Sequence, residues 1–514
     1  EMKKCTTPHE EVPEKLVSQY IKSLKSGKAA DVYGLTSEHL KFASEEITQV
    51  LTILTNKVYR ERRLPERFKT GAVVPVLKKN KPAKNPDSYR RITIASTLGK
   101  VVERSMMTKT KMAALPKQDP LQYGFTEDVS PSLCALLVTE AAAEAANLGN
   151  DIYLAFMDSS KAFDMVDHTM MLTALHDLEL DPHLWLMYRD MYAEVTSKMR
   201  IQGELSRTII EKGGIRQGGE TSTEAFKAKD NSFLTRLRNH PAAYRIGSIK
   251  VGIPTVADDN CIIGNSHTDI QTLLLMAHEN SAKVRYQFST AKSKVMHIQQ
   301  KSSLSMPISF NGSDIDYSQK ETHLGLVRTA DCKATEDVRH RIQIGRRAAY
   351  ALMGAGFHGY NGISPLVSRN IASTYIDPAV LYGLEALSLK ESDFEELHKY
   401  QRTLLRQLQC LPDSTATPAL YLLMGATPMK AQIHLKILTL FNNICRRPDS
   451  VEWQVFHRQL ALKNSSSHSR TAELKKIIYM YNLSPPLVLM LNPPHRNAWK
   501  GRSRKMLPPS GKTS

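Results

Sequence analysis

The stretch GSIKVGIPTVADDNCIIG, residues 247–264, places two β-prone runs on either side of the adjacent aspartates Asp258 and Asp259. It reads as a hairpin with carboxylates at its tip. Because Asp is common in turns, the stretch taken alone fits a plain turn equally well. A second strand-like run, IYLAFMD (152–158), ends in Asp158, after which SSKAFDMVDH takes on a helical apolar pattern. Asp158 precedes Asp258 by 100 residues. Two strands from distant parts of the chain that each deliver a carboxylate can hold divalent cations between them. Such carboxylates repel unless a cation or a proton sits between them. Mg²⁺ suits the role, because it takes hard oxygen ligands and keeps positions open for phosphates. Two ions roughly 3.5–4 Å apart serve the attacking and leaving oxygens of an in-line phosphoryl displacement.

The rest of the chain is consistent with a polyanionic partner. Its 514 residues suffice for two or three packed domains. Lys and Arg outnumber Asp and Glu 69 to 51, a formal charge of +18, which favours nucleic acid ahead of an acidic membrane surface. The cysteines (Cys5, Cys134, Cys261, Cys332, Cys410 and Cys445) show no CxxC or Cys/His zinc spacing. That argues against a disulfide framework and for a reduced, intracellular protein, with nucleus and cytoplasm both open. No apolar run approaches the ~20 residues of a membrane span, so no membrane is expected among the partners.

Four further stretches carry chemistry. LPERFKTGAVVPVLKKNKPAKNPDSYRRITIAS (64–96) reads as two strands joined by a basic, Pro- and Asn-broken turn, and its Lys and Arg suit phosphate oxygens. KMRIQGELSRTIIEKGGIRQGG (198–219) reads as a hairpin ending in a glycine-rich turn, followed by a helix that starts at TSTEAF. FSTAKSKVMHI (288–298) carries two lysines, and THLGLV (322–327) bends at Gly325. Helices are expected over 12–60, with Leu16, Tyr20 and Leu24 on one face, and again from about 331. There, Val338, Ile342, Ala349 and Met353 form a stripe, leaving Arg339, Arg341, Arg346 and Arg347 for a phosphate backbone. Ser364 is expected to cap one later helix, and Ser392 with Glu395 to form a capping box on another.

Taken in order, these stretches resemble the reverse transcriptases of non-LTR retrotransposons. The resembling motifs are KAADVYGLTSEHLK (28–41), the basic hairpin, LQYGFTEDVSPS (121–132), the Asp158 strand, RQGG, the Asp-Asp hairpin, FSTAKSKVMHI and THLGLV. The resemblance implies an α+β, right-hand polymerase: fingers, a palm of antiparallel sheet backed by helices, and a helical thumb. Its divisions would be a helical extension (1–60), fingers (61–150), a palm with the RQGG helix and primer-grip turn (151–330), and thumb with extension (331–480). A basic, disordered tail (481–514) would follow.

The resemblance also implies residue roles. Asp158 and Asp258 would be metal ligands for two Mg²⁺ ions, with Mn²⁺ as a substitute, and Asp259 a supporting catalytic acid. Lys79, Arg90, Phe163 and Gln217 would bind the incoming dNTP, Phe163 by crowding the ribose 2′ position. Arg216, Gly218, Leu324 and Gly325 would meet template and primer, and Lys292 and Lys294 the pyrophosphate. The implied activity is RNA-directed DNA polymerisation, with RNA template, DNA primer and dNTPs as partners and protein partners unknown. Arg91, Thr126, Gly219 and Val256 depart from the family's pattern, so a catalytically lapsed, transposon-derived nucleic-acid binder is the alternative. Asp164 and Asp167 are expected to serve capping or surface roles.

Overall fold

The structure, a computed structural model, describes residues 9–79, 81–159, 161–285, 287–298 and 306–505; Cys5 and the end of the basic tail (506–514) lie outside them. The chain folds as two compact units, each built from separated segments. One comprises 1–125, 159–236 and 277–288, and the other 126–158, 237–276 and 289–514.

In the first unit, strand Thr70–Leu77 pairs antiparallel with Tyr89–Ile94 and parallel with Thr196–Ile201. The basic turn therefore joins two strands as expected, and Arg200 and Ile201 form a hairpin with Glu204–Leu205. Helices Glu14–Ser23, Glu46–Glu61 and Gly99–Ala114 pack around one another. The buried stripe of the first is Val17, Ile21 and Leu24, whereas Leu16 is exposed, a shift of one residue from the expected face. The cause lies in the partner surface, since the stripe follows what the neighbouring helices cover.

In the second unit, four strands run antiparallel in the order Lys294–Ile298, Ile152–Met157, Asp259–Gly264, Thr255–Val256. Ile152–Met157 is buried at every residue, as a continuous apolar run between two partners should be. Helix Pro131–Leu148 is apolar almost all round and correspondingly buried, ending at Gly149 in the left-handed conformation (φ 64°). The hairpin Lys320–His323/Leu326–Thr329 leads into a helical region that begins with Thr335–Gly354.

Two expectations about this helical region change. Arg341 is buried, so it is unavailable to a phosphate backbone, and Arg339 pairs with Glu336 and Glu396. Helix Glu391–Gln409 starts before Ser392, and its capping carboxylate is Asp393, which accepts from the Lys390 N–H at 2.9 Å. Ser364 does cap its helix, accepting from Val367 N–H at 3.4 Å. The basic tail is ordered further than its composition implies. Helices Pro486–Leu491 and Arg496–Lys505 form, and buried Trp499 donates its indole N–H to the Leu438 carbonyl at 3.0 Å. One large apolar side chain thus anchors a segment rich in proline and charge. Among the described residues, no helix is long and apolar enough to cross a membrane.

Candidate active site

The pairing of Val256 with Asp259 leaves Ala257 and Asp258 as a two-residue turn. Ala257 occupies the left-handed region (φ 59°), a conformation that an L side chain adopts at a cost. Buried Asn260 steadies it, donating from its amide to the Asp258 carbonyl at 3.0 Å. The hydroxyl of buried Thr255 donates to Asn260 Oδ1, also at 3.0 Å. One strand over, Asn260 pairs with Met157. Continuing that register by one residue sets Asp259 beside Asp158.

Electrostatics report the same convergence. Burial, then the charges of Asp258 and Asp158, push the Asp259 carboxyl up to about 6, even though its edge is open to solvent. Asp158 is fixed through its backbone: its N–H donates to Ser293 Oγ (3.2 Å) and its carbonyl accepts from Ser289 N–H (2.9 Å). Its Oδ1 accepts from Lys292 Nζ at 3.1 Å. Asp258 and Asp158 each raise Asp259, so the three carboxylates disfavour one another's charge, a repulsion that a cation would relieve. Among the described residues no three or more His, Cys, Asp or Glu are gathered closely enough to hold a metal ion by themselves. An open edge of hard oxygens fits Mg²⁺, which keeps water and phosphate in its shell.

Other expected residues of this unit separate. Lys294 pairs with Asp316 at 2.6 Å, so its ammonium is engaged away from Asp158. Leu324 (φ 51°) and Gly325 (φ 73°) form the tip of their hairpin, a two-residue turn with both residues left-handed. The Tyr382 hydroxyl donates to the Leu324 carbonyl at 3.1 Å, and the Arg341 guanidinium donates to the Gly325 carbonyl. Arg341 also lies 4.7 Å over the Tyr382 ring. The bend is therefore clamped to the first helix after the sheet.

In the first unit, Lys79 and Arg90 are exposed at the basic hairpin. Gln217 lies along the returning strand, its carbonyl accepting from Thr93 N–H at 2.8 Å and its position bridging Ile92. Gly218 (φ 127°) approaches Thr93 so closely that a Cβ would overlap the Thr93 carbonyl oxygen. Arg216 departs from the template contact implied for it. It is buried, and its guanidinium donates to the Lys69 carbonyl and, at 3.5 Å, to that of Thr196. Its role is to pin the glycine turn to the sheet. Lys227 and Lys229 of the following helix are buried too, paired with Glu224 (3.1 Å) and Asp230 (2.6 Å). Phe163 stacks on Phe226 with ring centroids 4.5 Å apart. Asp167 caps a helix by accepting from Thr169 and Met170 N–H, as expected. Asp164 pairs loosely with Arg91 at 3.9 Å.

Sequence reading passed over Thr255, Asn260, Ser293 and Tyr382, whose work is to hold a backbone carbonyl or N–H in place. It also gave no role to Asp31, within the stretch 28–41. Asp31 is buried and accepts from the backbone N–H groups of Tyr33, Leu35 and Thr97 at 2.8–3.0 Å. The signal for Asn260 was present, since it directly follows the carboxylate pair.

Comparison with known proteins agrees with these features. The family described as "Reverse transcriptase (RNA-dependent DNA polymerase)" matches residues 76–326. The RNA-directed DNA polymerase from mobile element jockey of Drosophila melanogaster is 24% identical over 410 residues, 77% of this chain and 44% of that protein. Its counterpart in Drosophila funebris is 23% identical over 409 residues, again 77% and 44%. The probable RNA-directed DNA polymerase from transposon BS of Drosophila melanogaster is 22% identical over 416 residues, with the same shares. Among solved structures, apo telomerase from Candida tropicalis aligns at 10% identity over 89% of this chain and 72% of that one, with a TM-score of 0.39, too low to carry weight. The chain spans 44% of the length of the three transposon relatives.

Proposed function

We propose that this chain is an RNA-directed DNA polymerase adding dNTPs to a DNA primer on an RNA template, a reading supported by the reverse transcriptase family's match to residues 76–326 and by the likeness to polymerases of mobile elements. The observation that carries the reading is the meeting of Asp158 with Asp258 and Asp259, from strands 100 residues apart, in a cluster that pushes Asp259 up to about 6.

Asp158 and Asp258 are the residues to hold two Mg²⁺ ions, or Mn²⁺ in their place. When bound, the ions supply Lewis-acid charge that favours the primer 3′-alkoxide and the leaving pyrophosphate. Asp259 adds negative charge to that edge and, with Asn260 and Thr255, keeps the turn from shifting. Lys292 balances Asp158 in the ion-free protein and can turn to phosphate oxygens once that carboxylate is engaged elsewhere. Exposed Lys79 and Arg90 suit a triphosphate, as point charge and fork respectively. Gln217 presents its side chain from a backbone locked to the returning strand. Leu324 and Gly325 offer a rigid bend for the primer end. The protein's contribution is mainly positioning and charge stabilisation.

Mg²⁺-dependent dNTP extension of a DNA primer on RNA tests the reading. Extension by the wild type and none by Asp258→Ala supports it. Salt-sensitive nucleic-acid binding without any extension by folded wild type would sink it in favour of a lapsed binder.

A further inference from the structure

Phe163 lies in a turn (161–165) rather than in a helix or strand, so regular backbone hydrogen bonding does not fix its ring. Its neighbours do. The Phe226 ring, fully buried on helix Ser222–Asn239, lies parallel to it at 4.5 Å between centroids and an 8° interplanar angle. The ammonium of buried Lys229 stands 5.0 Å over the Phe226 ring. Phe125 meets both rings edge-on, at 6.0 Å from Phe163 and 6.4 Å from Phe226, with interplanar angles of 89° and 81°. Phe125 is 43% exposed and left-handed (φ 53°). Lys227 Nζ lies 3.4 Å from the Phe125 carbonyl, 3.0 Å from Gln118 Oε1 and 3.1 Å from Glu224. The Phe163 carbonyl accepts from Ile215 N–H at 2.8 Å. One helix therefore supplies the ring behind Phe163, the cation near that ring and the ammonium that holds the capping ring.

We infer that Phe125 and Phe226 are positioning residues for sugar discrimination: they brace Phe163 so that it cannot yield to a ribose 2′-hydroxyl. The inference rests on the polymerase reading and on Phe163 as the group crowding that position. A steric barrier excludes one hydroxyl only if the ring cannot move aside by about the width of that group, and a lone phenyl on a turn would move. Offset and edge-to-face contacts among aromatic rings restrain it in two directions. The open side of Phe125 distinguishes this cluster from an ordinary core, in which all three rings would be enclosed.

The test is single-nucleotide incorporation on an RNA template, comparing kcat/KM for a dNTP with that for the matching NTP. Phe226→Leu is expected to lower the dNTP/NTP ratio about tenfold, mainly through a falling KM for the NTP, with dNTP kcat within about threefold of wild type. Phe125→Leu should lower the ratio less, in the same direction. General loosening would instead lower both substrates together. The inference is overturned if Phe163→Val lowers the ratio while Phe226→Leu and Phe125→Leu hold it within about twofold. It is overturned equally if Phe163→Val leaves the ratio unchanged, a result that spares the polymerase reading. No dNTP incorporation by wild type would remove that reading, and this inference with it. Should Phe226→Leu fail to fold, the half-exposed Phe125→Leu decides.

Discussion

The second unit holds two groups of carboxylates that the fold treats oppositely. Asp158, Asp258 and Asp259 meet at an open sheet edge with one exposed lysine on Asp158, and their crowding drives Asp259 up to about 6. Glu140 and Glu144, one turn apart on helix Pro131–Leu148, are buried and fully engaged. Glu144 meets Arg458 (3.0 Å), Lys463 (2.7 Å) and Gln459 (3.2 Å). Glu140 accepts from Ser469 Oγ and Arg470 N–H, each at 2.7 Å. Burial desolvates Glu144, yet Lys463, Gln459 and Arg458 hold its carboxyl below the usual range. Burial keeps Glu140 raised despite its partners. The difference teaches that carboxylates crowded at an open edge disfavour one another's charge, as Asp259 shows. Those supplied with protein donors are fasteners, here tying helices Val451–Leu462 and Arg470–Met480 to the helix behind the sheet.

The contrast can be broken from either side. Asp158→Ala or Asp258→Ala should reduce primer extension by at least about 10³-fold while leaving the thermal midpoint unchanged or higher. A variant extending at near-normal rates would remove the site. Glu144→Ala strands Arg458 and Lys463 against a buried surface, and should cost about 3–5 kcal/mol in urea unfolding. An unchanged midpoint would mean that the C-terminal helices are not fastened there.

A pH titration sharpens the same point. Buried His434, hydrogen-bonded with the Tyr481 hydroxyl at 3.1 Å, is lowered from 6.5 to about 4 by burial, with Lys430 and Arg470 adding to the effect. The folded protein therefore binds this proton less readily than the unfolded chain. Stability from this group is full above pH ~6.5 and is lost as pH falls toward ~4, by roughly 3 kcal/mol. His434→Gln should flatten that slope, measured as unfolding free energy against pH. Smallest in effect, Ala257→Gly should stabilise the ion-free protein by about 1 kcal/mol, by relieving the left-handed alanine. Equal or lower stability would show that the turn carries no such strain.

Much of the acidic edge was legible because strands have a period of two and a fixed register. An apolar run ending in Asp, and a hairpin tipped with Asp-Asp, leave few ways to pair except with their carboxylates together. The basic hairpin was legible for the same reason, its proline and asparagine breaking two clean β runs. Arg216 was misplaced because a guanidinium suits a backbone carbonyl as well as a phosphate, and nothing local decides which it meets. Arg341 failed in the same way. Glu140 and Glu144 gave no warning, since an acidic residue every turn of a helix usually marks a solvated face.

What the sequence determined by itself was therefore the order of strands and turns, the polyanion-seeking charge and the identity of the acidic edge, all set by patterns a few residues long. Only the tertiary structure decided which charges are spent on the fold and which remain for a ligand. Partners such as Lys463 for Glu144, 319 residues away in the case of Gln459 and Glu140, are chosen by packing, and local sequence holds no record of that choice.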